Sequence, residues 1–139
     1  KMATVSEALS ELGITEWVLR GEPTKESEFK EMFRKVTGAD VNGNAIETDD
    51  TSKWGVTWKQ VSDKMTAIDA AAPMKELRRQ RDAKLAETDW TALSDVTMAD
   101  NMKTYRQALR DLPASNDGKN ASLAEDGSLE NVKWPQKPA

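Results

Sequence analysis

Two stretches decide the fold, Leu85-Ala-Glu-Thr-Asp-Trp90 and Tyr105-Arg-Gln-Ala-Leu-Arg-Asp-Leu-Pro113. Met98, Met102, Tyr105, Leu109 and Leu112 recur at helical spacing, Asp95 or Thr97 is placed to cap that helix, and Pro113 follows its end. Upstream, Leu77, Arg81, Lys84 and Leu85 share related faces of a helix expected from about Pro73 to Glu87. Only about nine residues, from Thr88 through Asp95 and onward, connect the two, so the helices are expected to fold back on each other as a hairpin.

Towards the start of the chain, Thr57 opens another helix with Trp58, Val61, Met65 and Ile68 along one stripe. Ala70-Ala-Ala-Pro73 then predicts a kink or break, because proline lacks a backbone donor and disfavours helix at the residue before it. Asp40-Val-Asn-Gly-Asn-Ala-Ile-Glu-Thr-Asp-Asp50 has the oxygen-rich look of a calcium loop, yet its glycine is fourth rather than sixth and Trp54 stands near where an acid is required. Asn42-Gly43 instead reads as a tight turn with Val41 and Ile46 facing across it. A helix near 25–37 is expected from the cap at Thr24, the face Phe29, Met32, Phe33 and Val36, and the stop at Gly38. Ile14 to Leu19 reads as a short strand or buried connector, with the strand preferred. Thr4 to Gly13 reads as a short helix with Val5, Ala8, Leu9 and Leu12 inward, Thr4 capping and Gly13 stopping it.

Beyond Pro113 the composition turns to Ser, Asn, Asp, Gly and Lys through Ser128, with Leu123 the one large apolar residue, which predicts a mobile surface loop. Val132-Lys-Trp134-Pro135 follows, and an indole after so polar a tract implies a tail pinned to the rest of the fold. The expected class is mainly α: a small helical N-terminal module with a short β-hairpin allowed in it, then a helical hairpin with an extended, pinned C-terminal tail. The corresponding segments are 1–56, turn-rich over 39–55, then 57–112 and 113–139.

Composition narrows the chemistry. The 139 residues contain no His and no Cys, which removes disulfides, thiolate metal sites, the usual zinc ligands and the usual neutral-pH general base. Neither a phosphate loop nor an activated nucleophile is recognisable, and no catalytic, cofactor-binding or metal-binding residue is assigned. With 37% apolar and 32% charged residues the core must be thin and many helix faces wet. No apolar run approaches the roughly 20 residues of a membrane span, and the start lacks a signal-peptide pattern, so a protein outside the membrane is expected. Lys1 ahead of Met2 reads as an added residue with Met2 the natural start; an internal fragment would begin the same way. A net charge of −4 disfavours general nucleic-acid binding, although residues 1–50 carry eleven acids against six bases while Lys75, Arg78, Arg79, Arg81 and Lys84 form a basic cluster.

At Arg81-Asp82, Leu85, Thr88-Asp89-Trp90, Leu93, Asp95, Tyr105 through Asp111, Pro113 and Trp134-Pro135, the chain resembles the phage tail assembly chaperone-like family over roughly residues 76–136. It is more distantly similar to the C-terminal region of tail fibre assembly proteins, and as a whole it resembles small structural proteins of marine cyanobacterial phages. The insertion Ala114 to Glu130 and residues 1–70 depart from the family pattern.

The resemblance implies a non-enzymatic protein, either a virion structural or adaptor component or a tail fibre assembly chaperone. Its partners would be other phage tail or tail-fibre proteins, with homo-oligomerisation left open and neither membrane nor cofactor involved. It would be found in the virion tail or in the host cytoplasm during assembly. Trp90, Tyr105, Arg106, Arg110 and Trp134 are the candidate partner contacts, since Trp, Tyr and Arg anchor interfaces. The same residues have a structural reading: Trp90 packing on Leu85 and Leu109, Arg106 and Arg110 pairing with Asp89 or Asp95, and Trp134 closing over the hairpin. The alternative function is a soluble modulator that binds a host protein or nucleic acid through the basic helix 75–84.

Overall fold

A computed structural model describes residues 2–139 of the protein; Lys1 lies outside them. The chain divides into two compact units, Met2–Ala70 and Ala71–Ala139. The boundary falls inside the segment that the sequence reading treats as one helical region.

In the first unit, α1 (Val5–Glu11) begins where the Thr4 hydroxyl accepts from the Glu7 amide at 3.1 Å, and it ends at Gly13, whose φ of 75° suits glycine. Strand β1 (Trp17–Leu19) confirms the strand reading of that segment. Helix α2 (Glu26–Met32) is shorter than expected. Its start is held by Glu28, whose carboxylate accepts from both the amide and the hydroxyl of Thr24, at 2.8 and 2.7 Å. The helix expected through residue 37 gives way at Phe33 to β2 (Phe33–Ala39), because Phe33 pairs with Leu19 of β1, and Val36 with Glu47 of β3 (Ala45–Thr48). Tertiary pairing overrides the helical spacing of Phe29, Phe33 and Val36.

The result is an antiparallel sheet in the order β1-β2-β3, with a register shift between Val36 and Gly38. It is one strand larger than the hairpin allowed for. The turn at Asn42-Gly43 forms, closed by the Asp40 amide donating to the Asn44 carbonyl at 2.9 Å. Val41 and Ile46 do not face each other across it: Val41 is fully exposed at the tip, and Ile46 pairs with Gly38. The Asp40 carboxylate accepts from the Asn42 and Asn44 amides, the use of an Asx side chain that tightens a turn.

This unit carries the aromatic core. Phe29, Phe33 and Trp54 are buried together with Val5, Leu9 and Val61, and their rings meet at centroid distances of 4.8 to 5.6 Å. The Trp54 indole donates to the Thr48 carbonyl at 2.9 Å, so its one polar atom is satisfied.

Helix α3 (Trp58–Thr88) starts with a reciprocal cap, Thr57 Oγ1 accepting from the Gln60 amide and Gln60 Oε1 from the Thr57 amide. The break expected at Ala70–Pro73 does not occur; Pro73 lies within the continuous helix. Proline there loses its bond to the Asp69 carbonyl and crowds it, but the preceding Ala70, Ala71 and Ala72 are the best of helix formers and carry the smallest side chains.

In the second unit, the end of α3 runs into a 3₁₀ turn over Asp89–Ala92, and α4 (Asp100–Asp111) follows. Neither Asp95 nor Thr97 caps α4; Ala99 occupies that position without a side-chain bond. Tyr105, Leu109 and Leu112 are buried, as their spacing predicts, while Met98 precedes the helix. Arg106 of α4 reaches Leu85 and Thr88 of α3, whereas Arg110 and Asp111 share a cleft with Arg78 and Arg81. The later residues of one helix meet the earlier residues of the other, so the two run antiparallel as a hairpin.

The segment expected to be a mobile loop instead contains a small antiparallel hairpin, β4 (Ser122–Leu123) with β5 (Leu129–Glu130). Asp126 accepts from the Ser128 amide and hydroxyl within its turn, and Gly118 is buried against Leu112. Local turn chemistry therefore orders a sequence too polar and too short of apolar residues to announce a strand.

Candidate functional site

The Thr88–Leu93 turn and the helix end beneath it bring together two of the five candidate residues, Trp90 and Arg106. The Arg106 side chain is 12% exposed and reaches the end of α3. Its Nη1 donates to the Leu85 carbonyl at 2.9 Å and to Thr88 Oγ1 at 2.7 Å, and its Nη2 to Asp89 Oδ1 at 3.0 Å. One guanidinium thus satisfies a terminal carbonyl, a buried hydroxyl and a carboxylate, where its positive charge also favours the helix C-terminus. Thr88 and Thr91 are the two buried polar residues among those described, and Thr91 Oγ1 donates to the Thr88 carbonyl at 2.7 Å.

This polar lock sets the direction of what it carries. Trp90 and Leu93 are 59% and 56% exposed, and the Leu93 amide donates to the Trp90 carbonyl within the same turn. The expectation that Trp90 packs on Leu85 and Leu109 is overturned: with Thr88 and Thr91 turned inward, the indole between them is left in solvent. Leu93, which the sequence reading passed over as a site, joins it as a second large apolar side chain on the surface.

The other candidates separate into different roles. Tyr105 is buried, and burial, with the Glu87 carboxylate adding to it, pushes its hydroxyl pKa up. Arg106 pairs with Asp89, one of its two expected partners. Arg110 pairs with neither Asp89 nor Asp95; it is exposed and donates to Gln107 Oε1 at 2.9 Å. Trp134 is half-buried with the Lys84 ammonium 5.0 Å from its ring centroid, and Lys137 lies 3.6 Å from Glu87, so the tail touches the end of α3 at two points.

The basic stretch 75–84 is largely engaged: Arg79 pairs with Glu76, Arg81 with Asp82, and Lys84 with Trp134. Three bonds from Arg79 and one from Gln80 hold the Glu76 carboxyl pKa at about 2. No group of acidic side chains suited to a metal ion occurs among the described residues, and no described helix is long and apolar enough to cross a membrane.

Residues 74–139 match the model of a family described as phage tail assembly chaperone protein. Over these residues the chain is similar to the phage tail assembly chaperone family. The match spans nearly the whole of the Ala71–Ala139 unit, including the Arg106 lock, the exposed Trp90 and Leu93, and the tail with Trp134. Residues 2–70, with their own aromatic core, lie wholly before it. No curated protein and no solved structure matches the chain.

Proposed function

We propose that the protein acts in phage tail assembly by binding another tail protein, without enzymatic chemistry, and that the Trp90–Leu93 turn is part of the contact. The observation that carries the reading is the coincidence of the tail assembly chaperone match with the compact Ala71–Ala139 unit. The exposed pair supports the choice of surface, because a solvated indole beside a solvated leucine gains from a partner that covers both, and aromatic anchors dominate protein interfaces. Of the five candidate contacts, Trp90 and Arg110 are available to a partner, Trp134 in part; Tyr105 and Arg106 serve by shaping the hairpin beneath them.

Two versions of the role have separate support. The family description favours an assembly chaperone, working in the host cytoplasm and absent from the finished particle. The Met2–Ala70 unit, complete with its own core and outside the match, favours an adaptor that stays in the tail. Affinity capture from infected cells tests the shared reading: tail proteins recovered with the wild-type chain and lost with Trp90→Ser support it, and capture without any tail protein sinks it. Mass spectrometry of purified virions then divides the versions, stoichiometric copies favouring the adaptor and absence the chaperone.

A further inference from the structure

On the hairpin, away from the turn, Arg78 and Arg81 of α3 and Arg110 of α4 line one cleft together with Asp111 and Ser115. Three guanidinium groups have been gathered by folding, and their neutralisation is incomplete. Arg81 donates to Asp82 Oδ1 from Nε at 3.1 Å, with Nη2 at 3.0 Å from the same oxygen. Arg110 spends its bonds on the neutral Gln107, and neither it nor Arg78 has a carboxylate within 4.0 Å among the described residues. The one acid in the wall, Asp111, accepts from Gln107 through Oδ1 at 2.9 Å. Two arginines with no acid of their own, beside a third shared with a single exposed Asp, leave positive charge along the cleft that an anion can neutralise.

We propose that this cleft takes an acidic segment of a partner protein, its Asp or Glu carboxylates bridging Arg78 and Arg110; the proposal rests on the tail-assembly reading and names the chemistry of the partner. Planar guanidinium forks match carboxylates in paired hydrogen bonds. Protein carboxylates are favoured over a nucleic-acid backbone for two reasons. The chain carries a net charge of −4, and two of the neighbouring bases on the same helix are taken up, Arg79 by Glu76 and Lys84 by the Trp134 ring, which interrupts a basic track leading from the cleft. Asp111 in the wall also opposes a densely charged strand while tolerating spaced carboxylates.

The test is fluorescence anisotropy with a labelled ten-residue peptide of alternating Glu and Gly, using the full chain at low and at physiological salt. A double variant, Arg78→Ala with Arg110→Ala, removes exposed side chains that hold no core contact, and circular dichroism checks that it is folded. Binding is expected to weaken about tenfold in that variant and to change by less than about twofold in Arg79→Ala, whose charge lies outside the cleft. Lysine at both cleft positions is expected to restore only part of the loss, because it keeps the charge without the fork. Absence of peptide binding, or an equal loss in Arg79→Ala, overturns the proposal. So does tighter, cleft-dependent binding of a single-stranded oligonucleotide at matched salt. If the double variant still captures the wild-type set of tail proteins from infected cells, the cleft proposal fails and the tail-assembly reading stands. If the wild type binds the peptide in a cleft-dependent way but captures no tail protein, the tail-assembly reading fails and the carboxylate site remains.

Discussion

Arg106 and Thr88 are joined by a 2.7 Å hydrogen bond from guanidinium to hydroxyl, made where α4 crosses the end of α3, and Thr88 is almost wholly removed from water. The same nitrogen also donates to Leu85, and the Thr88 hydroxyl donates to that carbonyl at 3.2 Å, so the three groups close a triangle. Removing the Arg106 corner takes a charged donor from both the Thr88 hydroxyl and the Leu85 carbonyl and leaves them only the 3.2 Å bond between them.

Arg106→Ala is therefore expected to destabilise the protein by about 2–3 kcal/mol, the scale for charged hydrogen bonds lost from a part-buried site. Arg106→Lys recovers little, since one ammonium cannot reach the Leu85 carbonyl, the Thr88 hydroxyl and Asp89 in the same fork geometry. Thermal unfolding of the two variants checks this. A change below about 0.5 kcal/mol, ordinary for a surface residue, is the outcome that refutes the lock.

Gly118 is held for steric reasons. A Cβ added there would run into the carbonyl and side chain of Leu112, a residue buried at the end of α4. The obstacle includes backbone, which cannot swing aside, so Gly118→Ala is expected to cost about 1–3 kcal/mol, as overpacking does. Gly127→Ala meets no neighbour, but its φ of 86° penalises any side chain, so it is a milder control, read by the same unfolding curves.

The pH dependence has a defined sign at Glu76. Arg79 first, then Gln80, hold its carboxyl at about 2 against an ordinary value of 4.5. A depressed folded-state value stabilises the protein fully above about 4.5, and that contribution is lost as pH falls from there towards about 2. Arg79 is exposed, so solvent screening keeps the effect small. Glu76→Gln is expected to be slightly less stable than wild type at pH 7, with the gap closing between about pH 4.5 and pH 2; a gap that widens on acidification contradicts the assignment.

Much of this fold was readable where a helix follows its own periodicity. Val5, Ala8 and Leu9 mark α1, and Tyr105, Leu109 and Leu112 mark the buried face of α4 and its end. Phe33 to Ala39 was not readable. Phe29, Phe33 and Val36 sit at helical spacing, and what turns the segment into a strand is its pairing with Leu19 on one side and Glu47 on the other, distant in sequence. Pro73 misled for the opposite reason, since its local penalty, a lost hydrogen bond and a crowded carbonyl, is outweighed in a long helix where three alanines precede it. At the site, opposite charges one hairpin apart gave away the Arg106–Asp89 pair. The outward direction of Trp90 depends on Thr88 and Thr91 being buried, and threonine seldom signals burial.

Trp90 and Tyr105 therefore separate binding from folding. Both are aromatic residues of the family-matched region, yet Trp90 is 59% exposed and Tyr105 is 5% exposed. Trp90→Ser is expected to leave the unfolding midpoint within the effect of about 0.5 kcal/mol usual for surface changes, while reducing recovery of tail proteins from infected cells. Tyr105→Ala opens a cavity beneath the hairpin and is expected to cost about 3–5 kcal/mol, so any loss of binding it shows follows from unfolding. A Trp90→Ser chain that is as stable as wild type and captures tail proteins undiminished would remove the indole from the contact; one that unfolds like Tyr105→Ala would show that the ring is covered in the molecule's own fold.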